Sequence, residues 1–158
     1  MQQDARDDLK LISQARGKSL VELAGYAYDS RGGQGITVYV IDTGINPDHP
    51  VSVTNLSIVI TKAHSFPGIQ ENMRWLYLPD EPETQGDELG HGTCVTSKVA
   101  GLTLGVAKSA NLVVVKIPLI DGRIRVSRLI AAWGVVARDI DSNDLLGRSV
   151  VSVAMAGE

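Results

Sequence analysis

Apolar residues along this chain fall into two kinds of pattern. Ile36-Thr-Val-Tyr-Val-Ile41, Leu112-Val-Val-Val-Lys-Ile117 and Ser149-Val-Val-Ser-Val-Ala-Met155 are short runs rich in β-branched residues. They scarcely alternate with polar positions, which predicts strands buried on both faces. Ser57–Lys62 predicts a further strand. By contrast, positions 126, 129, 130, 133, 136, 137 and 140 are apolar at helical spacing, predicting a helix from Val126 to Ile140. A second helix is predicted from Thr93 to Ala100, and shorter ones over Asp7–Ala15 and Ser19–Ala27. Strands separated by helices indicate a three-layer α/β fold with a mostly parallel sheet covered on both sides. Residues 65–90 include Leu78-Pro-Asp-Glu-Pro-Glu-Thr-Gln-Gly86, which predicts a surface loop or insertion.

Composition narrows the class. A length of 158 residues suits a single domain over 1–158. With 44% hydrophobic and 21% charged residues, the chain has enough apolar surface to fold. A net charge of -3 gives no electrostatic case for nucleic acid or an anionic membrane as partner. Cys94 is the single cysteine, so no disulfide within the chain is expected. The start, MQQDARDDLK, lacks the apolar region of a secretory signal peptide. The apolar runs are too short to span a bilayer.

Two stretches carry candidate chemistry. Asp42 follows the strongest strand, and in open α/β sheets functional groups collect at the carboxyl ends of strands. Backbone N–H groups of the Thr43-Gly44 turn suit a buried carboxylate there, and a turn aspartate fits the same residues. In Gly86-Asp-Glu-Leu-Gly-His-Gly-Thr-Cys94, His91 opens a helix between two glycines. The positive end of the helix dipole disfavours imidazolium, and Gly90 and Gly92 leave space for another chain to approach the ring. A structural histidine fits that stretch as well. His49 and His64 lie in contexts that suggest no chemistry.

Taken together, the stretches resemble a known family. Val38-Tyr-Val-Ile-Asp-Thr-Gly-Ile45 with His49-Pro50, then Gly90-His-Gly-Thr93 and Val99-Ala-Gly101, are similar to motifs of the subtilisin family of serine peptidases. Gly105-Val-Ala-Lys-Ser-Ala110, leading into Leu112-Val-Val-Val-Lys116, resembles that family's Gly-Val-Ala turn and the strand after it. Val150-Val-Ser-Val-Ala-Met-Ala-Gly157 resembles the strand lining its substrate pocket. Leu9–Ser13 through Tyr28-Asp29 resembles the mature start of fungal extracellular subtilases. The resemblance implies the N-terminal half of a catalytic domain, truncated before the later strands and the nucleophile helix. It implies that Asp42 orients His91 and that His91 is the general base. It implies that Ala154, Met155, Ala156 and Gly157 pair with an extended peptide substrate, faced by a second substrate strand from Ile120 to Arg125. It suggests an extracellular setting.

The nucleophile has no match. The family's serine sits in a Gly-Thr-Ser-Met-Ala-like segment, and no Gly-Thr-Ser occurs in this sequence. The oxyanion asparagine has no counterpart either, since Asn143 lies in a charged loop without matching neighbours. Loss of the serine alone costs about a million-fold in kcat, a value established on subtilisin itself. The chain alone is therefore expected to be inactive, with an open sheet edge that favours association. A missing C-terminal half is the partner this reading implies. Cys94, where the family commonly has histidine, is expected to be a small buried side chain, with a reactive thiol as the functional alternative. No cofactor is expected. Calcium often stabilises subtilases, but Asp42, Asp48 and the acidic 80–88 loop show no spaced ligand motif, so no metal site is assigned.

Two other readings use the same residues. One is a non-catalytic subtilase remnant that binds peptides or a partner. The other is a dimeric retroviral-type aspartic peptidase, in which two copies of Asp42 share a proton and Leu145-Leu-Gly-Arg148 is the later motif. That protein would be all-β.

Overall fold

The computed structural model describes residues 1–46, 49, 73–81 and 86–155. The predicted strand Ser57–Lys62, together with Asp48, His64, Ala156 and Gly157, lies outside the described residues.

The β-branched runs form parallel strands. β1 spans Thr37–Asp42, β2 Met73–Leu76, β3 Asn111–Lys116 and β4 Ser149–Val153. They make one parallel sheet in the order β2-β3-β1-β4, with Val40 level with Val114 and Ser152. β1 is therefore central, and all six of its residues are buried. Burial on both faces is why its sequence does not alternate.

The two faces are covered by different helices. α1 is short, Asp7–Ile12, and the predicted Ser19–Ala27 helix is a single 3₁₀ turn at Leu20–Glu22. α2 spans His91–Ala100 and α3 spans Val126–Ser142. Val38, Val40, Leu112 and Val114 meet Val95, Val99 and Ala100 of α2 on one side. Tyr39, Ile41, Val113 and Val115 meet Leu129, Ala132 and Val136 of α3 on the other. This three-layer arrangement, with two helices among parallel strands, excludes the all-β aspartic peptidase. Leu145-Leu-Gly-Arg148 is only the turn joining α3 to β4.

Two local expectations change, and the packed face of α3 becomes visible. Residues 65–90 include β2, whose Met73 is buried and level with Leu112 of β3. Its Met-Arg-Trp-Leu is the edge of the sheet among the described residues, and surrounding proline and acidic residues disguise it as loop. The face of α3 that packs runs through Leu129, Ala132, Val136 and Ile140, while Val126, Ile130 and Trp133 are exposed. The apolar spacing mixed two stripes of one helix. Ile120–Arg125 begins as a tight turn, with Asp121 and Gly122 at positive φ and Ile120 and Arg123 hydrogen-bonded to each other. Those backbone groups are already paired, so Ile120 and Arg123 do not offer an extended substrate strand.

β4 is an edge strand, and among the described residues no strand pairs with its outer side. Val150 is level with Val38 yet 53% exposed, because α2 does not extend over β4. An apolar edge of this kind templates association. In sedimentation experiments at micromolar concentration the chain is expected to associate, and Val150→Lys to shift it toward monomer. Unchanged sedimentation in the variant would show that this face is not the contact.

Candidate active site

The site lies at the carboxyl end of β1, where Asp42 leaves the sheet. Asp42 is fully buried, and its Oδ1 accepts the Thr43 backbone N–H at 2.7 Å. His91 is the first residue of α2, and its side chain is 49% exposed. Nδ1 of His91 lies 2.8 Å from Oδ1 of Asp42. A carboxylate can only accept, so Nδ1 carries the proton of this contact, and in the neutral ring Nε2 keeps the lone pair. Oδ2 of Asp42 is buried and has no hydrogen-bond partner among the described residues. The structure thus joins the two candidate residues, 49 positions apart, into one pair.

The glycines flanking His91 serve purposes the sequence did not reveal. Gly90 caps the helix with φ 74°, a left-handed conformation that suits glycine. A Cβ on Gly92 would come within 2.1 Å of the Gly44 carbonyl oxygen and 3.1 Å of Asp42 Oδ1. The space cleared at Gly92 is therefore filled by the turn after β1, not held open for another chain.

Asp87 stands beside the pair, in contacts that the sequence did not reveal. Its Oδ1 accepts from the Thr43 hydroxyl at 2.7 Å and the Gly90 N–H at 3.0 Å. Its Oδ2 accepts from the Thr93 N–H at 2.7 Å and the Thr93 hydroxyl at 2.6 Å. Burial pushes its carboxyl up, but the hydrogen bonds from Thr93, Thr43 and Gly90 together hold it below its ordinary range. The N-cap position itself is Gly90, so Asp87, three residues before it, reaches the helix start from outside the capping position and carried no sequence signal for that role.

Lys116, at the end of β3, fixes the same loop. Its Nζ donates to the Gly86 carbonyl at 2.6 Å and to Glu88 Oε1 at 2.9 Å. A cleft of about 330 Å³ opens here between Thr43, Leu89, Lys116 and Ile117. Ala154 is exposed and Met155 half-buried just beyond β4. Val153 is level with Ile41, so Ala154 leaves the sheet beside Asp42.

Cys94 is exposed, contrary to the expectation of a buried side chain. Successive helix residues turn about 100°, and α2 points Val95, Val99 and Ala100 at the sheet, leaving position 94 outward. It lines a separate cleft of about 330 Å³ with Asn46, His49 and Leu104. Of the oxygens considered for calcium, those of Asp87 and Oδ1 of Asp42 are engaged in these hydrogen bonds. Among the described residues no group of three or more His, Cys, Asp or Glu is placed to hold a metal. No helix among them is long and apolar enough to cross a membrane.

A parallel α/β sheet thus carries an Asp–His pair at the carboxyl end of an interior strand, and similarity to known proteins gives that geometry a family. The model of the subtilase family, peptidase S8, matches residues 33–144. The chain belongs to the subtilase family. It is 32% identical over 135 residues to subtilisin-like protease 2 of Trichophyton rubrum and 31% to that of Trichophyton verrucosum, each match covering 85% of this chain. A cold-adapted subtilisin-like serine proteinase of known crystal structure superposes with a TM-score of 0.63 at 29% identity, over 86% of this chain. The chain spans only 28% of the length of the Trichophyton relatives and 42% of the crystallised proteinase.

Proposed function

We propose that this chain is the part of a subtilisin-class serine endopeptidase that carries the aspartate and the histidine. The observation that carries the reading is the 2.8 Å contact between Nδ1 of half-exposed His91 and Oδ1 of fully buried Asp42. In this mechanism Asp42 fixes the ring orientation and tautomer. Nε2 of His91 takes the proton of a serine hydroxyl as it attacks a peptide carbonyl, then gives it to the leaving amine. The serine and the oxyanion asparagine come from outside these 158 residues, on a continuation or a partner half. Ala154 and Met155, followed by Ala156 and Gly157, pair with the extended peptide. The setting is extracellular, as in the fungal subtilases the chain resembles. The chain by itself is inactive.

Two measurements test this. Imidazole ¹⁵N spectroscopy at pH 8 is expected to show His91 as the Nδ1–H tautomer, and an Nε2–H tautomer would refute its role as base. Treatment of the isolated chain with a fluorophosphonate probe is expected to leave it unlabelled. Covalent labelling would show that a nucleophile is present after all.

The second reading is a peptide- or partner-binding module without catalysis, favoured by the cleft beside Lys116. It predicts peptide binding by the isolated chain without turnover, and no gain of peptidase activity on adding a serine-bearing half.

A further inference from the structure

We infer that Asp87 is a positioning residue for His91, setting both the place of the ring and the number of donors that Asp42 receives. The inference rests on His91 being the base proposed above, and it adds a residue to that site.

The geometry has two parts. First, Asp87 anchors the backbone on both sides of His91, since it accepts the N–H of Gly90, one residue before, and of Thr93, two residues after. These are unpaired amides at the start of a helix, where a carboxylate is also favoured by the helix dipole. The Thr93 hydroxyl donates to Asp87 and accepts the Asn46 N–H at 2.8 Å, which brings in the segment after β1. The ring of His91 is thus carried on a helix start tied to the end of the strand that bears Asp42.

Second, Asp87 controls one proton. The Thr43 hydroxyl has a single hydrogen and two acceptors in reach, Asp87 Oδ1 at 2.7 Å and Asp42 Oδ1 at 3.3 Å. Its oxygen meanwhile accepts the Gly92 N–H at 3.0 Å. The shorter contact takes the hydrogen, so Thr43 donates to Asp87. Oδ1 of Asp42 is then left to the Thr43 N–H and the His91 Nδ1–H. Without Asp87 the hydroxyl turns to Asp42 and competes with the histidine for the same oxygen.

The test compares imidazole ¹⁵N and Nδ1–H proton spectra of the full chain with those of Asp87→Ala and Asp87→Asn. In the unmodified chain the Nδ1–H proton is expected far downfield and slow to exchange. In both variants its exchange is expected to quicken by roughly tenfold or more, with the Nε2–H tautomer rising to a comparable population. Asn keeps the shape but turns an N–H₂ group toward donors, so it serves if the alanine variant does not fold. Asp139→Asn, which loosens the opposite side of the sheet, is the control. A normal Nδ1–H signal in Asp87→Asn, with only stability lowered, would reduce Asp87 to a helix cap. An equal loss of signal in Asp139→Asn would equally overturn the positioning role. Absence of the Nδ1–H signal in the unmodified chain would instead take down the proposed base, and the positioning role with it.

Discussion

Gly92→Ala is expected to lose about 3 kcal/mol or more of stability and to separate His91 from Asp42. The added methyl would stand 2.1 Å from the Gly44 carbonyl oxygen, and that neighbour is backbone. A flexible side chain could swing aside, but this turn is fixed by β1 on one side and by buried Ile45 on the other. Overpacking a tight site costs roughly 1–3 kcal/mol, and more where backbone must move. The helix therefore has to withdraw from the sheet, and it takes His91 with it. Thermal unfolding is expected to shift down by roughly 10 °C for a domain of this size. The Nδ1–H signal of His91 should vanish in the same variant. Wild-type stability with an intact signal would show that α2 can sit farther out without consequence.

The second large effect lies on the opposite face of the sheet, where β1, β2 and α3 meet at Asp139. Arg74 of β2 pairs with both of its carboxylate oxygens, and the Tyr39 hydroxyl of β1 donates to Oδ2 at 2.6 Å. The side chains of Arg74 and Asp139 are 20% and 10% exposed, so solvent replaces little of what is lost when one is removed. Asp139→Ala leaves a guanidinium and a phenol without their acceptor, at a cost of about 3 kcal/mol. The pH dependence has a definite sign. Burial pushes the Asp139 carboxyl up, but the hydrogen bonds from Arg74, Tyr39 and Asn143 and the nearby positive charge outweigh it and hold the group below its ordinary range. A folded value below the unfolded one, which is about 3.9, gives stability that is present above about pH 4. It is lost as pH falls through the folded value. Urea unfolding should therefore separate wild type from Asp139→Asn at pH 7, and the gap should shrink below pH 4. A gap that stays constant down to pH 2 would show that the ionised carboxylate is not what Arg74 needs. Asp87 is shifted in the same direction and adds to the same acid loss.

How much of this was legible in the sequence varied with the range of the interaction. β1 and β3 were readable because a strand buried on both faces leaves an unbroken β-branched run. β2 was not, because Met73-Arg-Trp-Leu76 is short and its Arg74 faces inward to Asp139, 65 residues away. An inward arginine reads as a surface residue until its partner is known. The helical spacing of 126–140 predicted the conformation, and it carried no information on which face packs. Val126, Ile130 and Trp133 are as periodic as Leu129, Ala132 and Val136, and only the position of the sheet chooses between them.

The same division runs through the site. The sequence by itself determined local conformation, since backbone geometry imposes the spacing of apolar side chains within an element. It also supplied the candidates Asp42 and His91, each at an element boundary that its neighbours mark. Tertiary structure decided what stands opposite what. It set the strand order, turned Cys94 outward, closed the space at Gly92, and brought Asp87 to Thr43 across 44 residues of chain. Those contacts depend on how far one element slides against another, and no residue records that distance in its own immediate neighbours.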